Sequence, residues 1–383
     1  MRQKTRDDHL FGPGPKRLLA LDGGGVRGIV ALAYLERIER LLRERSGGDP
    51  EFRLCDYFDL VCGTSTGAII AAAIAVGFPV ERIVGLYRMM MPQVFKTSRW
   101  RIGLRQPKYA RAPLARLLEE QFGDITLGSS SVRTGLVVVT KRFDTGSPWI
   151  IHNNPRGKYF DHPQAPNREF LLRDVVRAST AAAPYFGPEK LRVGDDVEGV
   201  FIDGGVSPYN NPALQLLMVA TLGGFGFGWP VGPEHLFLLS VGTGSQALDF
   251  QPDRAFSMPS AMVGLRSVRS VIADSSWLTQ TILQWISRSP TPWEIDREVG
   301  DLEGDLLGDR ESLSYVRYDL RLEREWLAAR LGVQRDGEVL KDLAALDNPN
   351  NVGALAELGA AAAAVQVKSE HFPEAFDPDE ASG

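Results

Sequence analysis

Short apolar runs recur along this chain, and each of the first ones is broken by glycines before a helix-period pattern begins. Arg17-Leu18-Leu19-Ala20-Leu21 is the first run. Asp22-Gly23-Gly24-Gly25 breaks it. Ile29 to Arg45 then carries apolar residues at Ile29, Leu32, Ala33, Leu35, Ile38, Leu41 and Leu42, the spacing of an amphipathic helix. The unit repeats in type: Tyr57 to Cys62 reads as a strand, Gly63 to Gly67 as a turn, and Ala68 to Val76 as an apolar helix ending near Gly77. Further buried strands are expected at Gly135–Thr140, Val200–Ile202 and His235–Val241. Continuously apolar strands alternating with helices predict an α/β fold, three layers α/β/α around a mostly parallel central sheet. Chemistry in such sheets gathers at the carboxyl ends of the strands, and three of these strands run into glycine turns.

After about residue 250 the glycine turns stop and helical patterns dominate, at Ala261–Ile286, Arg321–Leu331 and Val352–Lys368. The pattern divides the chain into a disordered leader over 1–15, a principal domain over 16–250, a helical C-terminal region or cap over 251–368, and a flexible tail over 369–383. Hydrophobic residues at 44% and charged residues at 24% are the mix of a packed globular protein. The net charge of −5 gives no long-range attraction to nucleic acid, and a membrane contact would need a local basic or apolar patch. One such patch is Leu86 to Met91 continuing through Trp100 and Ile102, with Arg88, Lys96, Arg99, Arg101 and Arg105; the competing reading is a core helix followed by a solvated basic loop. Cys55 and Cys62 read as small buried hydrophobes, not a disulfide, and no Cys/His group has zinc spacing. The charged N-terminus lacks a secretory pattern, and no apolar run is long enough to cross a bilayer, so a soluble cytoplasmic protein is expected. Oligomeric state has no signature.

Gly63-Thr64-Ser65-Thr66-Gly67 matches G-x-S-x-G between a strand and a helix, the setting of a nucleophile elbow. Its turn is too tight for flanking side chains, so Gly63 and Gly67 are required, and the helix after it favours negative charge near Ser65. Gly23, Gly25 and Gly28 fit a second pattern, G-x-G-x-x-G, and open an alternative: a nucleotide-binding α/β protein using the Gly23–Gly28 turn. Two features weigh against it. Three successive glycines before a helix equally present backbone N–H groups as a nest for an oxyanion, and the next strand ends without an acid to hold a ribose. A nucleophilic serine needs a base. None of the five histidines lies in a glycine turn at a strand end, whereas Phe201-Ile202-Asp203-Gly204-Gly205 places a carboxylate there. Asp203 alone reads as a turn cap; three glycine turns at three strand ends favour a base instead.

Together these blocks resemble the patatin-like phospholipase family. Asp22-Gly23-Gly24-Gly25-Val26-Arg27-Gly28 is similar to its oxyanion-hole motif, Gly63 to Gly67 to its nucleophile elbow, and Asp203-Gly204-Gly205 to its catalytic aspartate motif. Ala178 to Phe186, Asn210-Asn211-Pro212-Ala213 and Ser240 to Gly244 follow in the family's order. The resemblance runs from about Lys16 to Gly244 and makes 16–250 a patatin-like catalytic domain. It implies a Ser65–Asp203 dyad, an oxyanion hole of Gly23, Gly24 and Gly25 with Arg27 in support, and no metal or cofactor. It further implies hydrolysis of a fatty-acyl ester at a membrane or micelle surface, with transient membrane contact. Leu222 to Trp229 is a candidate for the acyl-chain entrance, or else a buried loop. An inactive scaffold on the same fold is a further alternative, for which no catalytic element is missing.

Overall fold

The computed structural model describes residues 4–96, 106–246, 258–302 and 304–377. Its strands are β1 (Lys16–Leu21), β2 (Leu60–Thr64), β3 (Gly135–Arg142), β4 (Pro148–His152), β5 (Glu189–Gly194), β6 (Val197–Asp203), β7 (Leu236–Val241) and β8 (Ser314–Tyr318). They form one sheet in the order β5-β6-β3-β2-β1-β7-β8, with β4 also paired to β3. The middle is parallel: β1 pairs with β2 and β7, β2 with β3, and β7 with β8. β4, β5 and β6 add antiparallel pairings at one side. The result is a mixed sheet whose centre is parallel, as strands buried at every position require.

The described α-helices are, in chain order, α1 (Arg6–Phe11), α2 (Gly28–Arg45), α3 (Leu54–Tyr57), α4 (Thr66–Ala75), α5 (Val80–Val94), α6 (Arg111–Phe122), α7 (Leu172–Ser179), α8 (Ala213–Thr221), α9 (Ser260–Trp285), α10 (Arg324–Leu331), α11 (Gly337–Leu343) and α12 (Val352–Gln366). The larger core lies between one sheet face and α2 to α7, with α12 laid along α2. A smaller core lies on the other face beneath α1, α8 and the end of α9. Helices on both faces make the three layers expected. α4 is buried on all sides, which its unbroken run of Ala, Ile and Gly allows.

Several elements differ from the sequence reading. Arg6–Phe11 is helical, not an unstructured leader: Thr5 and Asp8 form a capping box, and Leu10 is buried in the smaller core. Leu54–Tyr57 is a helical turn, held where the Arg53 N–H donates to Asp56 at 2.8 Å, so β2 starts only at Leu60. The described residues of 251–368 supply α9 to α12 but also β8, whose Tyr315, Val316 and Tyr318 are buried. Phe372 and Phe376 are buried against Phe237, and Arg17 donates to the Phe376 carbonyl at 2.8 Å. Residues 369–377 are therefore docked, and not a frayed tail. Trp229 is buried and donates to the Leu10 carbonyl at 3.2 Å, which places this loop where β1 begins, at the end of the sheet away from the glycine turns. Tyr87, Met90 and Met91 face the core while Met89 is exposed; Arg99, Trp100, Arg101, Ile102 and Arg105 lie outside the described residues. Both cysteines are free and buried. Among the described residues no helix is long and apolar enough to cross a membrane.

Candidate active site

Two strands meet head to head on one side of β3. Thr64 at the end of β2 pairs with Val139, and Asp203 at the end of β6 pairs with Thr140, the next residue along. β4 occupies the other side of β3. Because β2 runs parallel to β3 and β6 antiparallel, their carboxyl ends point at each other across a single residue step. That junction sets Ser65 against Asp203. The sequence reading put both at carboxyl ends of strands; the opposed strand directions are what bring them into contact.

Ser65 has φ 56° and ψ −125°, a conformation that L residues seldom adopt. The elbow enforces it. A side chain at Gly63 would collide with the Gly67 carbonyl and lie 2.5 Å from the Ala68 nitrogen, and one at Gly67 would meet the carbonyls of Leu21 and Asp22. The Ser65 N–H donates to Ser179 Oγ at 2.9 Å, and Ser179 donates in turn to the Val139 carbonyl at 2.7 Å. With its backbone held, Ser65 donates from Oγ to Asp203 Oδ2 at 2.5 Å. The other Asp203 oxygen accepts from the Gly205 N–H at 2.6 Å. Gly204 has no room for a side chain, because its Cβ would lie 2.5 Å from the Val139 carbonyl oxygen.

Asp203 is 2% exposed. Burial pushes its carboxyl up to about 6, against the pull of the Ser65 hydroxyl, the Gly205 N–H and the charge of Arg177. Arg177 is itself buried and forms an ion pair with Glu189 at 2.9 Å. A carboxyl in this range is ionised near neutrality yet basic enough to take a proton, the property asked of a general base. Among the described residues no histidine bonds Ser65 or Asp203. His9 pairs with Asp59 at the opposite end of the sheet, and His152 is buried with its pKa lowered to about 4. No group of three or more His, Cys, Asp or Glu among the described residues is arranged to hold a metal ion.

The glycine turn after β1 faces the same junction, with a Cβ at Gly23 placed only 3.1 Å from Ser65 Cβ. Its N–H groups are largely assigned. Gly23 donates to the Asn210 carbonyl at 3.1 Å, Gly24 to Thr66 Oγ1 at 3.2 Å, and Val26 to the Leu346 carbonyl at 2.8 Å. Tyr87 donates to the Gly25 carbonyl, and the Arg27 N–H donates to the Gly24 carbonyl at 3.1 Å. Gly25 has φ +56°, and a side chain there would collide with Leu346. The Arg27 side chain lies within electrostatic reach of Asp22 and Asp319; burial lowers its pKa. The sequence reading gave Ser179, Tyr87, Asn210, Thr66 and Leu346 no part in holding this turn or the elbow. Ser179 and Asn210 belong to blocks quoted there, whereas Tyr87 and Leu346 have no local signal and reach the turn only through the fold.

Residues 19–217 match the sequence profile of the patatin-like phospholipase family. The chain belongs to that family. Its Gly23–Arg27 turn, Gly63–Gly67 elbow and Asp203–Gly205 turn all fall inside the matched segment; Leu346 does not. The cUMP-AMP-activated phospholipase of Escherichia coli is 36% identical over 214 residues, 54% of this chain and 59% of that protein. Patatin-17 of Solanum cardiophyllum is 30% identical over 244 residues, 60% of each chain. The patatin-like chain thus spans about 60% of the length of these relatives. Among solved structures, human GIVD cytosolic phospholipase A2 is similar with a TM-score of 0.43 at 13% identity over 97% of this chain and 60% of that one.

Proposed function

We propose that this protein hydrolyses fatty-acyl esters of phospholipids or related lipids through a Ser65–Asp203 dyad. The observation that carries this reading is the 2.5 Å contact between Ser65 Oγ, on its strained elbow, and a buried aspartate with a raised pKa. Asp203 takes the hydroxyl proton as Ser65 Oγ attacks the ester carbonyl. The tetrahedral oxyanion lies before the glycine turn, where the Gly25 N–H is the donor without an acceptor among the described contacts, with Gly24 beside it and Arg27 adding positive potential. Collapse expels the alcohol, which leaves with the proton held by Asp203. Water then attacks the acyl-Ser65 ester; Asp203 removes its proton and returns it to Ser65 Oγ as the fatty acid departs. No cofactor or metal takes part in these steps, and a lipid surface would be met by transient, peripheral contact of a cytoplasmic protein.

The nucleotide-binding alternative gains no support from the turn. Its Val26 N–H is taken by Leu346, and Ser65 lies where a pyrophosphate would need to approach Gly23. The test is fatty-acid release from mixed phospholipid and lysophospholipid micelles, with wild type beside Ser65→Ala. Three of the similar proteins bear names that make them cUMP-AMP- or cGAMP-activated, so the assay is run with and without those nucleotides. Release by wild type alone is expected, and equal release by both proteins would overturn the serine assignment.

A further inference from the structure

Arg317 is buried on β8, outside the segment matched to the family. Register explains its reach. Ala20 of β1, Ser240 of β7 and Arg317 of β8 are neighbours in one row across the sheet, so their side chains leave the same face. The two inner positions carry small side chains, and the guanidinium extends over them. It donates to Ser240 Oγ at 2.6 Å and ends at Asp22, gripping both carboxylate oxygens at 2.9 and 2.6 Å. Asp319, two residues on from Arg317 and on the same face, takes a fourth contact at 3.1 Å. The other Asp319 oxygen accepts from the N–H groups of Gly244 and Leu320 at 2.8 and 2.9 Å. Gly242 lies beside this carboxylate, and any side chain there would collide with it. Burial opposes the Arg317 charge, but Asp22 and Asp319 outweigh it and raise its pKa above the ordinary value.

A buried ion pair adds little stability over a well-packed apolar pair. Its position suggests another use. Asp22 is the last residue before Gly23, at the root of the glycine turn, and the Leu346 carbonyl holds the far side of the same turn through Val26. We propose that Arg317 is a positioning residue: by fixing Asp22 it keeps the Gly23–Gly25 backbone aimed at the oxyanion, so the C-terminal region completes the catalytic centre. This rests on the roles of Ser65, Asp203 and Gly25 proposed above.

The experiment compares kcat and KM for a soluble short-chain ester in full-length wild type, Ser65→Ala, Arg317→Lys, Arg317→Met, Ser240→Ala and Phe376→Leu. The last is a stability control at the opposite end of the sheet. Arg317→Met is expected to lower kcat about a hundredfold with KM within about twofold, the size of losing one oxyanion donor. Arg317→Lys recovers part of that loss, and Ser240→Ala shows a smaller kcat defect. Phe376→Leu lowers Tm while keeping kcat. A folded Arg317→Met with wild-type kcat overturns the inference, as does a kcat loss that follows Tm across the whole set including Phe376→Leu. If Arg317→Met does not fold, unchanged kcat in both Arg317→Lys and Ser240→Ala overturns it equally. Absent wild-type turnover, or undiminished turnover in Ser65→Ala, instead removes the reading of the site on which the inference stands.

Discussion

As the proposed base, Asp203 has to do two incompatible things: stay out of water and carry a charge. Its carboxyl rises from 3.8 to about 6 on burial, so the folded protein holds this proton more tightly than the unfolded chain does. Activity that needs the carboxylate therefore increases with pH, and the pH profile of kcat/KM is expected to rise through an apparent pKa near 6. Stability runs the other way. The neutral acid is favoured in the fold, so its contribution is fully present below the ordinary value of 3.8 and is lost as pH climbs through about 6. A rise of this size corresponds to ~3 kcal/mol. Asp203→Asn should consequently be inactive, by about a thousandfold or more in kcat, yet more stable than wild type above pH 6, with the difference fading toward pH 4. Denaturant titrations of both proteins at several pH values check the sign. A variant less stable at every pH would contradict the burial argument.

At the scale of elements, the glycine turn draws its partners from distant parts of the chain: Tyr87 on α5, Thr66 at the start of α4, and Leu346 beyond α11. Tyr87→Phe deletes the hydroxyl while keeping the ring against Gly28, and leaves the Gly25 carbonyl with the Gly28 N–H as its remaining donor. A loss of about 0.5–1.5 kcal/mol is expected, with kcat reduced roughly tenfold as the turn relaxes. Thermal unfolding and steady-state kinetics on the one variant measure both. This layout also explains what the sequence could reveal. Ser65, Asp203 and the glycines were legible because each obeys a local steric rule: a turn too tight for Cβ, or a carboxylate at a strand end. The parallel centre of the sheet was legible because Leu18–Leu21 and Leu236–Leu239 are apolar without interruption. Tyr87, Leu346 and Arg317 obey no local rule, since an isolated tyrosine, a carbonyl and an arginine in a polar stretch have no periodicity to betray them. β8 escaped for a related reason: a charged Arg317 interrupts the short run of Tyr315, Val316 and Tyr318, which disguises a core strand as a surface one. The helical start of the chain turned on one capping box at Thr5 and Asp8, a four-residue signal in a charged segment.

Over the whole molecule, the C-terminal segments hold the sheet at both ends. At one end Arg317 and Leu346 reach the glycine turn; at the other, Phe372 and Phe376 pack on Phe237 while Arg17 binds the Phe376 carbonyl. Phe376→Ala is expected to lose about 3–5 kcal/mol of stability while leaving kcat near wild type where the protein is folded. A large kcat loss in folded Phe376→Ala would mean that the two ends are coupled. The opposed strands carry a further consequence. β2 and β6 approach one another along a common neighbour, and Ser65 and Asp203 touch only because both pairings with β3 are in their native alignment. A slip of one residue in either strand is a displacement of about 3.3 Å, enough to part the two groups, and it also turns every following side chain to the wrong face. With the dyad proposed above, turnover is a proofreading signal for assembly: a chain whose strands are threaded out of step is silent, and the first catalytic cycle during refolding marks the moment the seam has closed.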